Sequence, residues 1–350
     1  MEKYLKFDQR TWFEVLNKIS FIEMSNSRWH FLSKNKGRCL ELLQKKALAE
    51  SIISAMKLCG IRISQFDAEK IIKNQFNTPD REEQKKAFFY MESHKSADYK
   101  IYSTKLTEPD LFGEYHNLLG LKVKGSQRRS VYRKPWGKND FISKRENSDN
   151  KTTPSIQKVI EKELSNILDW TNRSLEEKII HPLLVIATFI YRFISLQPFK
   201  DANEQLSNLL TYLLLRKTKY HFIKYYSLES IICQNLEVYE ELKSRIRESE
   251  INKENLMNEW TLFFLCSIEN LINQLDSRYE FYQQNLRYLN ERQKELLNVI
   301  EDKGPVKFAD IADSMEDYSV NTLKKDLQLL LKENYIEAFG KNKGMVYIKV

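Results

Sequence analysis

Residues 181–217 read HPLLVIATFIYRFISLQPFKDANEQLSNLLTYLLLRK, and their reading decides the fold. The first half is apolar nearly all round, which places it as a helix in the middle of a bundle rather than on its surface. A short loop follows, and a leucine-rich segment then resumes the helical period. The loop itself, Gln197-Pro198-Phe199-Lys200-Asp201-Ala202-Asn203-Glu204-Gln205, supports two readings. Asp201 and Glu204 stand three apart, the spacing of a capping box, in which two side chains satisfy each other's free backbone amides. Such a cap contributes about 1 kcal/mol to a helix. The amino end of a helix is also a natural seat for phosphate, because its unpaired amides and dipole favour negative charge.

The surroundings are helical as well. CLELLQKKALAESIISAMKLCGI at 39–61 repeats its apolar residues at threes and fours, and further helices are expected from FDAEKIIKNQF, REEQKKAFFYMES and LTEPDLFGEYHNLLG. With 9 Gly and 7 Pro in 350 residues, a loop-rich β architecture is disfavoured. The expected fold class is therefore mainly α, in three parts: an N-terminal helical region at 1–104, a core at 105–288, and a C-terminal domain at 289–350. In that last part RQKELLNVIEDKG, KFADIADSM, SVNTLKKDLQLLLKENYIEAF and GKNKGMVYIKV read as helix, short helix, longer helix and hairpin. The pattern resembles a winged helix-turn-helix, whose third helix is the one offered to the major groove. Lys324 and Lys325 on that helix, and Lys341 and Lys343 at the hairpin tip, are the candidate DNA contacts. Glu316, Asp317 and Asp326 oppose them locally, and 289–350 as a whole carries 10 basic against 11 acidic residues. A winged domain used for protein contact is an equal alternative.

The formal net charge of +8 is concentrated. Nine Lys and Arg against the single acid Asp140 lie between Lys122 and Arg145, a run suited to phosphate, nucleic acid or an acidic partner. The polar stretch SKRENSDNKTTPS at 143–155 reads as a linker or surface loop. Cys39, Cys59, Cys233 and Cys266 have no C-x-x-C spacing, which argues against zinc and disulfides and suits a reducing cytoplasm. The most apolar run, 182–191, is too short to span a bilayer, and no secretory leader is expected.

The block from His181 to Leu215 resembles the Fic family of AMP-transferring proteins, whose signature is HPFx(D/E)GNGRxxR on a loop between two buried helices. EYHNLLG and the VYR segment before the core, and HFIKYYSLES after it, extend the resemblance over residues 105–270. Pro198, Phe199, Asp201 and Asn203 match the signature. The resemblance implies ATP as nucleotide, magnesium held at Asp201, and an anion hole shaped by Asn203 and the neighbouring amides. It also marks the departures. The general base is replaced by Gln197, which does not titrate near neutrality, a loss of roughly 10²–10⁴ in rate. The two glycines are Ala202 and Glu204, and the two arginines are Gln205 and Asn208. Losing a cation that steadies phosphoryl charge costs roughly 10³–10⁵ in related chemistry.

Family members also carry an inhibitory helix with an S-x-x-x-E-G pattern, whose glutamate pairs with the second arginine. Aligned by its glycine, the corresponding stretch here is Ala55-Met56-Lys57-Leu58-Cys59-Gly60, so serine has become Ala55 and glutamate Cys59. Both halves of the inhibitory ion pair are absent. The expected function is a Fic-fold protein with a degenerate motif that acts by binding a protein, a nucleotide or DNA. The alternative is an adenylyltransferase or other phosphate-transfer enzyme with an altered site. A second copy of the chain is a further candidate partner.

Overall fold

A computed structural model describes residues 6–34, 37–73, 79, 81–100, 105–121, 132–133, 156–248, 253–285, 289–333, 335–340 and 344–349. The basic run at 122–145 other than Tyr132 and Arg133, the stretch 143–155, and Lys341 and Lys343 lie outside them. The chain divides into two compact units, Met1–Tyr279 and Glu280–Val350.

In the first unit the described helices are α1 (Gln9–Leu32), α2 (Arg38–Leu58), α3 (Gln65–Ile72), α4 (Glu82–Lys100), α5 (Glu108–Leu118), α6 (Ile156–Glu177), α7 (Pro182–Leu196), α8 (Asn203–Lys217), a 3₁₀ turn (His221–Lys224), α9 (Leu228–Gln234), α10 (Leu236–Glu248) and α11 (Lys253–Asn285), whose last residues enter the second unit. The fold is mainly α. The all-apolar α7 lies at the centre: from Leu183 to Leu196 only Arg192 and Ser195 escape burial. It packs on α6, α8 and α10, and the Trp260 indole on α11 donates to the Ala187 carbonyl at 2.9 Å. Sequence dictates this position, since a helix apolar on every face can be covered only from every side.

His181 opens α7, its ring Nδ1 accepting from the Leu183 amide at 3.3 Å, with Pro182 at the first helical position, where its missing amide costs nothing. The other ring nitrogen lies 3.3 Å from Glu23 on α1, and this contact holds the Glu23 carboxyl below its usual range. The N-terminal helices are thereby tied to the central one. α2 packs on α4, α8 and α9, and it ends at Gly60. There φ is +72°, and the amides of Gly60 and Ile61 fold back to the Lys57 and Met56 carbonyls, both at 2.9 Å.

The second unit follows the order α12 (Glu291–Lys303), β1 (Val306–Lys307), α13 (Phe308–Ser314), α14 (Val320–Lys332), β2 (Ile336–Phe339) and β3 (Val346–Lys349). Its strands form an antiparallel sheet in the order β1-β3-β2, with Val306 opposite Tyr347 and Phe339 opposite Val346. Leu296, Ile300, Ile311, Leu323, Leu327, Leu330 and Ile336 fill its core. Asn290 and Ser319 cap α12 and α14 through the amides of Gln293 and Thr322. Gly340 sits at φ +93°, where a Cβ would meet the Gly344 carbonyl oxygen at 2.6 Å, so the turn between β2 and β3 requires glycine.

Candidate functional site

The loop between α7 and α8 is built around Phe199. Its ring is buried among Phe112, Tyr115 and Tyr132, stacking on Tyr115 at 4.4 Å. Tyr132 pairs with Phe199 as an isolated antiparallel bridge, and the Arg133 amide donates to the Pro198 carbonyl at 3.1 Å. Arg133 is itself buried, its Nε donating to the Leu196 carbonyl at 3.2 Å. The VYR segment therefore lies along the loop. Asn203 then clamps the turn from inside: its side chain accepts from the Phe199 amide at 3.1 Å and donates to the Phe199 carbonyl at 2.7 Å.

The capping box expected at Asp201 and Glu204 does not form. α8 begins at Asn203, its cap is Ala202 in the left-handed region at φ 55°, and no side chain bonds the free amides there. The Asn203 clamp forces the chain into a tight turn that moves the start of the helix past Asp201. Asp201 is left exposed. Gln197 also lies in the left-handed region, at φ 40°. Ala202 occupies the position of the signature's first glycine, the residue type that adopts this backbone without strain.

Glu204 turns away from the loop to α10. Its carboxylate accepts from the Tyr239 hydroxyl at 2.6 Å and from the Lys243 ammonium at 2.8 Å. Lys243 is almost fully buried, bridges to Glu240 at 2.8 Å, and sits 4.5 Å over the Tyr239 ring. Burial, then the Glu204 charge, pushes the Tyr239 hydroxyl well above its ordinary pKa, so it remains a donor. One turn further along α10, Arg247 grips Gln197. With the carboxamide oriented by its hydrogen bonds, its oxygen accepts from Nε at 2.7 Å and Nη2 at 2.8 Å.

Tyr239, Lys243 and Arg247 thus present three partners to the loop from one face of α10, at i, i+4 and i+8. Sequence reasoning missed all three. The spacing is visible in YEELKSRIR, but nothing local distinguishes it from a solvated helix face.

The remaining predicted residues surround this network. Cys59 closes α2 near Glu204; burial first, and then the Glu204 charge, raises its thiol to about 12. Ala55 is wholly buried one turn earlier. Asn208, on the second turn of α8, is buried with no hydrogen-bond partner for its Nδ2 among the described residues. Gln205 is half-buried.

Residues 107–215 match the model of the Fic/DOC family. They form a Fic/DOC domain. The structural neighbours agree. A Fic family protein from Desulfovibrio desulfuricans G20 superposes with a TM-score of 0.63 at 14% identity, covering 99% of this chain and 98% of that one. A Fic domain-containing signaling protein from Bacteroides thetaiotaomicron VPI-5482 gives 0.53 at 15% identity, covering 73% and 98%. Fic-1 from C. elegans gives 0.52 at 12%, covering 75% and 72%. At these identities the neighbours establish a Fic fold and no more. No curated protein matches the chain.

In the second unit, Lys324 and Lys325 are both exposed on α14. The expectation that Asp326 opposes them is corrected. Asp326 is buried, accepting from Arg292 Nε at 2.5 Å and from Gln293 at 2.8 Å. Burial works to raise its pKa, and these donors outweigh it, holding the carboxyl below its usual range. Asp326 lies on the inner face of α14 and its charge is answered there. The exposed face is then Asn321, Lys324, Lys325 and Gln328, at i, i+3, i+4 and i+7 with no acid among them. Among the described residues no helix is long and apolar enough to cross a membrane, and no group of three His, Cys, Asp or Glu stands together to hold a metal ion.

Proposed function

We propose that this Fic-fold chain acts by binding rather than by AMP transfer, and that its second unit is a winged helix-turn-helix that reads DNA. One observation carries the first half. The groups where the family keeps a base and a phosphate cradle are engaged by the protein itself, Gln197 by Arg247 and Glu204 by Tyr239 and Lys243. A carboxamide accepts no proton from a target hydroxyl. Lys243 and Arg247, which reach the loop from α10, are already engaged by it.

ATP and magnesium do not fit such a seat. Gln205 and Asn208 offer no charge to the ATP phosphates, and the Lys243 cation is already held by Glu204. Asp201 is exposed and, with no group of three metal-ligating side chains around it among the described residues, would depend on those phosphates to complete a magnesium shell. The corresponding expectation is that ATP with magnesium at millimolar concentration leaves the melting temperature unchanged, whereas a ligand of the folded state raises it.

The second half rests on the face of α14. Asn and Gln pair with adenine edges and Lys with guanine or phosphate, and these are the residue types exposed there. The near-neutral charge of the unit makes its non-specific affinity weak, so base contacts must carry more of the selectivity. In a mobility-shift titration against genomic fragments, Lys324→Ala with Lys325→Ala should weaken binding about tenfold and flatten the salt dependence by one to two units. Binding by the wild type with no salt slope would identify α14 as a protein contact instead.

The alternative reading, a phosphate-transfer enzyme with altered chemistry, draws on the exposure of Asp201 and on the Asn203 clamp, which keeps the loop in shape. It requires label transfer that depends on Asp201.

A further inference from the structure

Beyond the loop, α8 borders a second feature that the binding reading leaves unexplained. A cavity of 220 Å³ lies between α2, α4, α8, the 3₁₀ turn and α9. None of its lining residues belongs to the loop at 197–205. Its walls are largely carbon, from Leu48, Ile223, Leu228, Ile232 and the Tyr212 ring, and the imidazole of His94 stacks on Tyr212 at 4.0 Å.

The polar groups around it divide unevenly. Both carboxylates are answered by the protein. Glu229 accepts from the Tyr90 hydroxyl at 2.7 Å and the Ser227 hydroxyl at 2.9 Å, while Asp98 accepts from the Tyr212 hydroxyl at 2.9 Å and from Arg216 at 3.3 Å. The donors are not. Asn208 is buried with no acceptor for its Nδ2, and among the described residues no carboxylate forms an ion pair with Lys224. Burial, reinforced by the nearby Arg216 and only partly offset by Asp98, also pushes the half-buried Lys224 ammonium below its ordinary pKa.

A buried donor left unpaired is costly, and a ligand acceptor would remove that cost. The surplus therefore calls for an anion. A phosphate, doubly charged, would sit poorly beside Asp98 and Glu229, whereas a single carboxylate balances Lys224. The carbon walls call for an apolar body. The volume is that of roughly seven waters, which admits a molecule of about ten non-hydrogen atoms.

We propose that this cavity binds a small organic monocarboxylate, with the carboxylate received by Lys224 and Asn208 and the carbon body held between the α2 and α9 walls and Tyr212. The site is separate from the α7–α8 loop and stands whether or not the second unit binds DNA.

The test is calorimetric titration of the full-length protein with benzoate and with benzamide, its neutral isostere, and with inorganic phosphate. One benzoate per chain should bind about tenfold or more tightly than benzamide, because only benzoate forms charge-assisted bonds to the donors. Phosphate should give no saturable heat. Lys224→Met should reduce benzoate to the affinity of benzamide while leaving benzamide binding intact, which also reports that the variant is folded. Asn208→Leu should weaken benzoate in the same direction. Equal affinity for the two isosteres, saturable binding of phosphate, unchanged benzoate affinity in Lys224→Met, or no heat from either aromatic ligand at millimolar concentration would each overturn the proposal.

Discussion

The two sides of α8 treat charge in opposite ways. At its amino end, every ionic group that reaches the loop from α10 has found a partner inside the protein: Glu204 with Tyr239 and Lys243, and Arg247 with Gln197. Two turns along, facing α2 and α4, the carboxylates are satisfied but the Asn208 amide and the Lys224 ammonium are not. Asn208 marks the boundary. At the loop this chain has set its own side chains against one another. Where an apolar cavity opens beside the same helix, it has left donors waiting.

The strongest way to break this contrast is to strip the amino end of its cation. Lys243→Met leaves the half-buried Glu204 with only a phenol to answer it, and should lower unfolding stability by about 2 kcal/mol in a denaturant titration. Adding Glu204→Gln to Lys243→Met should recover more than half of that loss, because the uncompensated charge disappears. A single-variant cost below about 0.5 kcal/mol, the range of an exposed pair, would mean that the network does not hold the loop.

A smaller effect is expected at Ala202, whose left-handed backbone strains any residue with a Cβ. Ala202→Gly should stabilise the chain by roughly 0.5–1 kcal/mol, the relief of strain outweighing the added freedom of the unfolded glycine. Destabilisation would show that the turn is not strained.

The smallest effect concerns Cys59. A thiol pushed up to about 12 holds its proton at ordinary pH, so little thiolate is present at pH 8. Iodoacetamide should leave Cys59 unmodified at pH 8 by peptide mass mapping, with alkylation rising as pH approaches 12. The linkage has a definite sign. Below the ordinary thiol pKa of 9.0 both folded and unfolded chains carry the proton, and stability is unaffected. From there to about 12 the unfolded chain alone releases it, so this contribution to stability falls as pH rises. Rapid labelling at pH 8 would place Cys59 in water instead of beside Glu204.

Much of this architecture was legible in the sequence because the physics is local. A helix apolar on all sides has one place to go, and α7 is there. The Ser319 cap and the glycine turn at Gly340 follow from single-residue preferences in the same way. The start of α8 was misread because its determinants are not local to Asp201 and Glu204. The Asn203 clamp on Phe199 sets the turn, and a lysine 39 residues downstream takes the glutamate. A capping box scores two side chains against the backbone and is blind to a third partner from another helix. The same blindness hid Tyr239 and Arg247, and it left Asp326 counted as a surface acid when Arg292 and Gln293 had turned its charge inward. Pairings between distant segments are fixed by packing, and packing is what a single sequence does not display.

The central claim, that a Fic fold here serves occupancy and not transfer, is tested most directly with ATP labelled at its α-phosphate. The full-length protein is incubated with magnesium and candidate protein substrates, and label is followed on every chain including its own. The account predicts label no higher for the wild type than for Asp201→Ala. Wild-type labelling that disappears in Asp201→Ala would contradict it.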